Sequence, residues 1–305
     1  MANPFEIIAG PFPGEPKEEF LSSDKMRKQS YTPIATAYNG KPCHHQPQSG
    51  EIPELDVGKT GNGCQVKSYP PSSLPLKEGE LDIPDLYRKA NQQNVQLKAE
   101  FAPLKKHGEG GTGLGSGVIV GRRGDEILVI SDNHVVTPHP GQKTAIIQAR
   151  FGDGQIYDGR VVVRDLKNDT DIIAFKTGAD TDKEYHPATI QDGWSELKKG
   201  QQYLITGYPE ATSRLHVSPG ELLGVDHESA AGFKNHLPGD DRNRFWGLLK
   251  SHTRDGNSGG ATYGRLGHVV GTLEGGIPGD TRFSFINPIS RQYVAKLLKQ
   301  AGADP

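Results

Sequence analysis

An all-β fold is the class this sequence predicts, and three observations point to it. Glycine (39) and proline (22) supply about a fifth of the 305 residues, a frequency that suits many tight turns between short strands rather than long helices. From residue 94 onward, short apolar stretches recur between clusters of Gly, Asp and Asn, the signature of successive strands. They form two sets of similar size on either side of a polar connector at about 178–200. The chain therefore reads as two β units, each a barrel or a sandwich.

Residues 1–80 are rich in Pro, Gly, Ser and Lys with little periodicity, and read as an N-terminal arm or pro-segment. Residues 81–305 are then the folded part. In IPDLYRKANQQ, Pro84 stands near a helix start and Ile83, Leu86 and Tyr87 recur at spacings of three and four, which predicts a short helix. Val95, Leu97, Ala99 and Phe101 alternate with Gln96, Lys98 and Glu100, the period of a half-buried strand. GSGVIVG, EILVISD, TAIIQARF, GRVVVRD and DIIAFK continue the first unit, about 94–180. QQYLITGYP, GELLGVD, FWGLLKSH, HVVGTLEG and FSFINP supply the second, about 196–287. At about 288–301, Tyr293, Val294, Leu297 and Leu298 recur at helical spacing before Gly302, so a helix closes the chain.

Lysine and arginine total 35 against 37 aspartates and glutamates, a net charge of −2. Such a balance offers no electrostatic footprint for a phosphate backbone or an anionic membrane, so neither nucleic acid nor membrane is an expected partner. No apolar run reaches membrane-spanning length, and MANPFEIIAGPFPGEP lacks the basic start and apolar core of a signal peptide. A cytoplasmic location is the expectation. The cysteines, Cys43 and Cys64, lie outside the segment that carries the chemistry, and no disulfide framework is implied. With His44 and His45 they offer zinc-donor types, but adjacent histidines depart from the usual ligand spacing. That stretch reads as a solvated loop, and neither metal nor cofactor is expected.

The strongest local signal is Asp255-Gly256-Asn257-Ser258-Gly259-Gly260, between two apolar strands. A serine hydroxyl attacks poorly at neutral pH unless a neighbouring base takes its proton. Glycine at 256 lets the backbone N–H turn inward beside that of Ser258, giving two donors for the oxyanion of a tetrahedral intermediate. The candidate base is His134, at the end of the apolar stretch Leu128–Val136, and the candidate acid is Asp171, just before Ile172-Ile173-Ala174-Phe175. Singly, each has a plainer reading as a core histidine or a turn residue. Together they supply an acid to fix the imidazole tautomer, a base near neutral pKa and a nucleophile.

The surroundings of these residues resemble a known family. Gly113–Val120, Asp132-Asn133-His134-Val135-Val136, Thr170–Ala174, Gly256–Gly260 and the connector Glu196–Gly200 leading to Tyr203–Pro209 are similar, in order and spacing, to motifs of trypsin-like serine proteases, most like the HtrA/Deg type. The order His, Asp, Ser is that of chymotrypsin-like enzymes. The resemblance runs from about Ile83 to the C-terminus. It implies two six-stranded antiparallel barrels, with His134 and Asp171 on the first and Ser258 on the second, and an endopeptidase working through an acyl-enzyme on extended protein or peptide. By the same resemblance His252 lies at the base of the S1 pocket, with Thr272, Leu273 and Glu274 on its wall. The pocket is then either neutral or, through Glu274, selective for a basic residue. Asn257 replaces the aspartate that precedes the serine in trypsin, so activation by an N-terminal ammonium is not expected. The stretch beyond Ser258 suffices for the remaining strands and a helix but not for a PDZ domain. A homo-oligomer is compatible with the family, and a catalytically silent peptide-binding scaffold is the alternative reading.

Overall fold

Strands that alternate apolar and polar residues face one core, whereas strands that are apolar throughout have two faces to bury. Both kinds occur in this chain. The computed structural model describes residues 80–304, apart from Asp82, Ser213 and the stretches 106–107, 179–184, 192–196, 227–245 and 278–279. The predicted arm and Cys43, His44, His45 and Cys64 lie outside the described residues.

The first six strands are β1 (Asn94–Pro103), β2 (Gly111–Arg123), β3 (Glu126–Asp132), β4 (Gln142–Arg150), β5 (Ile156–Asp165) and β6 (Thr170–Lys176). They close into an antiparallel barrel in the order β1-β2-β3-β6-β5-β4. A second closed barrel, ordered β10-β11-β12-β9-β8-β7, is built from β7 (Gln202–Gly207), β8 (His216–Asp226), β9 (Trp246–Ser251), β10 (Ala261–Tyr263), β11 (Val269–Ile277) and β12 (Asp280–Pro288). Three helices accompany them among the described residues: α1 (Ile83–Gln93), α2 (Asn133–Val136) and α3 (Arg291–Gln300). None of these is long and apolar enough to cross a membrane.

Burial explains the sequence pattern. Val95, Leu97, Ala99 and Phe101 of β1 point into the first barrel with Ile119, Ile173 and Phe175. Every residue of β3 is buried, because Ile127 and Val129 enter that barrel core while Leu128 and Ile130 join a layer shared with the second barrel and the helices. To this layer α3 contributes Val294, Leu297 and Leu298, and α1 contributes Leu86 and Ala90. Ser290 caps α3 by accepting a hydrogen bond from the Tyr293 N–H, satisfying one of the otherwise orphaned donors of a helix start.

One buried polar residue fastens α1 and both barrels together. Asn94, 1% exposed, donates through Nδ2 to Ala90 O at 2.8 Å and to the Tyr263 hydroxyl at 2.9 Å. Its Oδ1 accepts from the Thr206 hydroxyl at 2.9 Å and from the Ala261 N–H at 3.2 Å. Truncation would leave several buried donors and acceptors without partners, each costing roughly 1–3 kcal/mol. Asn94→Ala is expected to lose about 3 kcal/mol, read as a lower urea midpoint with an unchanged slope.

Two local features differ from the sequence expectation. Strand β10 has three residues, too few for a period of two to show, and the end of the apolar stretch carrying His134 is the one-turn helix α2.

Candidate active site

His134 sits on α2, where the chain leaves the first barrel after β3. Its partner is Asp169, held by the turn between β5 and β6. A 3-10 turn at Leu166–Asn168 ends on Asp169 in the left-handed conformation, φ 47°, which aspartate tolerates better than most residues. This geometry gives three hydrogen bonds to α2. Asp169 O accepts from the Asn133 N–H at 2.9 Å, Oδ1 accepts from the His134 N–H at 2.9 Å, and Oδ2 lies 2.7 Å from His134 Nδ1. Asp169 is fully buried while the histidine side chain keeps 21% exposure. The imidazole is thus held at Nδ1 and by its own backbone.

Asp171, the acid expected from sequence, is not brought to His134. As the second residue of β6 it pairs in register with Ser131 and turns its carboxylate to Asn133 Nδ2, at 2.9 Å, and to Arg164 Nε and a terminal guanidinium nitrogen, at 3.2 and 3.1 Å. Burial pushes its carboxyl above the usual range, with Arg164 and Asn133 opposing. Adjacency to an apolar strand makes Asp171 the more conspicuous acid in sequence. The left-handed turn that aims Asp169 instead has only a weak local signal, the Asn168-Asp169 pair.

The serine loop of the second barrel is fastened by residues of the first. Ser116 on β2 donates its N–H to Ser258 O at 2.7 Å and its hydroxyl to Gly256 O at 2.8 Å. Asp132, at the end of β3, accepts from the Gly259 N–H at 2.8 Å and from the Thr272 hydroxyl at 3.1 Å. On the β7–β8 turn, the Glu210 N–H donates to Asp255 O at 2.7 Å. In a trans peptide the N–H opposes the C=O, so the Gly256 N–H faces away from that turn. Among the described residues, neither the Gly256 N–H nor the Ser258 N–H donates to a protein acceptor. Gly256 has φ 93°, and a Cβ there would lie 2.7 Å from Tyr208 O; one on Gly259 would lie 2.2 Å from Ser116 O. Only glycine fits either place.

Ser258 donates its hydroxyl to Glu274 O at 3.2 Å, which sets β11 beside the nucleophile loop. The residues assigned to an S1 wall then separate. Leu273 is in the core of the second barrel, Thr272 is committed to Asp132, and the Glu274 carboxylate lies on the His134 side. Leu273 and Thr272 follow the alternation of a strand, and the register of β11 against β12 slips at Glu274. His252 is exposed just beyond β9.

Ligand atoms of His134, Asp169 and Glu274 converge within 4.8 Å of one another. His134 Nδ1 and Asp169 Oδ2, at 2.7 Å, are a hydrogen-bonded pair, since two ligands of one tetrahedral zinc stand about 3.3 Å apart.

Paired antiparallel barrels, with an imidazole–carboxylate pair on one and a glycine-flanked serine on the other, define a chymotrypsin-like fold. The model of the trypsin-like peptidase domain matches residues 115–271, just over half of the chain. The chain belongs to the trypsin-like peptidase family. It is 29% identical over 168 residues to the serine protease HtrA-like of Staphylococcus epidermidis, covering 52% of this chain and 26% of that protein. It is 26% identical over 198 residues to the serine protease HtrA-like of Staphylococcus aureus, covering 62% and 24%. The chain thus spans about a quarter of the length of these curated relatives. In fold it is similar to the Rv3671c protease from M. tuberculosis in its active form, with TM-score 0.53 and 18% identity, over 72% of this chain and 85% of that one.

Proposed function

We propose that this chain is a serine endopeptidase with Ser258 as nucleophile, His134 as general base and acid, and Asp169, in place of Asp171, as the acid that orients the imidazole. The observation that carries the reading is the double hold of Asp169 on His134, through the backbone N–H and Nδ1. With Nδ1 bearing the proton toward the carboxylate, Nε2 keeps its lone pair for the serine. In the reacting complex Ser258 Oγ exchanges its hydrogen bond to Glu274 O for one to the imidazole, since catalytic hydrogen bonds commonly tighten only when substrate is bound.

Ser258 Oγ then attacks the peptide carbonyl carbon as its proton passes to Nε2, and the carbonyl oxygen gathers negative charge. The open N–H groups of Gly256 and Ser258 receive that charge. Collapse breaks the C–N bond, the imidazolium gives its proton to the leaving amine, and an acyl ester remains on Ser258. Water, deprotonated by the same imidazole, hydrolyses the ester. An extended protein or peptide segment is the substrate class, since a backbone carbonyl must reach both amides. These open donors and the intact acid–base pair favour an enzyme over a silent peptide-binding scaffold.

A fluorophosphonate probe distinguishes the two. Peptide mapping should place the adduct on Ser258, with none on Ser258→Ala. Absence of an adduct on the folded wild-type chain would leave the scaffold as the better account.

A further inference from the structure

Glu274 neither attacks the substrate nor passes a proton to it in the proposed reaction, yet its placement is specific. The pairing of β11 with β12 slips at this residue: Leu273 faces Ile286 and Gly275 faces Phe285. Glu274 is therefore the extra residue of a β-bulge, a device that re-aims a side chain. The side chain so aimed is 8% exposed, and its carboxylate comes within 4.8 Å of a ring nitrogen of His134 and of the Asp169 carboxylate. Two acids this close disfavour each other's ionisation, and burial adds to the cost, unless a shared cation offsets both. His134, when protonated, is the cation that both face.

Among the described residues, three charged groups on the neighbouring elements have partners of their own. Asp171 is met by Arg164 and Asn133, and Asp132 accepts from Gly259 and Thr272. On the serine loop and the β7–β8 turn, Arg254 lies 3.7 Å from Glu210.

We propose that Glu274 is a positioning residue of the acyl-transfer site, a second carboxylate that steadies the protonated form of His134 and sets the pH range over which Ser258 is activated. The inference rests on the proposed triad. A negative charge beside the imidazole favours its protonated form, so the free base appears only at higher pH, and the same charge stabilises the imidazolium formed during attack. Without Glu274 the base form persists to lower pH.

The test is the rate of Ser258 modification by a fluorophosphonate, followed from acid to alkaline pH in the full chain. The acid limb of Glu274→Gln is expected about one pH unit below that of wild type. A second neutral variant, Glu274→Ala, should move the same way, while Glu274→Asp, which keeps the charge, should return the limb toward wild type. A limb that stays put or rises in the folded neutral variants overturns the role of Glu274 and leaves the triad standing. Failure of the wild-type chain to react at any pH overturns the triad itself, and this inference with it.

Discussion

Replacement of Ser258 by alanine is expected to lower kcat for peptide hydrolysis by about 10⁶-fold, and replacement of His134 by alanine by a similar factor. Without the imidazole, the Ser258 hydroxyl has no acceptor for its proton and is a weak nucleophile; without the hydroxyl, the imidazole has nothing to activate. The two losses should not multiply, because the groups act as one unit. Turnover by the double variant should match that of either single variant, with a residue of about 10³-fold over water from the amides of Gly256 and Ser258. Single-turnover kinetics on an activated peptide ester measures this. A Ser258→Ala protein within about tenfold of wild type would move the nucleophile elsewhere.

Asp169→Asn is expected to lower kcat by about 10⁴-fold with the fold intact. The asparagine can still accept from the His134 N–H, but its amide nitrogen now faces Nδ1 and forces the ring proton onto Nε2. The base is then blocked on the side that meets Ser258. A variant that keeps most of its turnover would show that the 2.7 Å contact is structural only.

Most of the fold is legible in the sequence because burial obeys simple periods. Alternation in Val95–Phe101 reports one core, and the unbroken apolar run of β3 reports a strand enclosed between a barrel interior and the layer beneath α3. The proposed base and nucleophile, His134 and Ser258, stand out in the sequence through their neighbours, above all the glycines at 256 and 259 that steric contact requires. The rest depends on irregular backbone. A left-handed residue aims Asp169 and a bulge marks Glu274, and neither leaves a periodic trace. For the same reason the separate directions of Thr272, Leu273 and Glu274, toward Asp132, the barrel core and His134, do not show in sequence. Long-range clamps such as Ser116 to Gly256, 140 residues apart, also leave no local mark.

The choice between the two acids can be made without knowing the substrate, from the second-order rate of Ser258 labelling in Asp169→Asn and Asp171→Asn measured side by side. Slowing by about 10³-fold or more in the first, with the second within about tenfold of wild type, is the predicted result. The reverse pattern would return the catalytic acid to Asp171 and contradict the account.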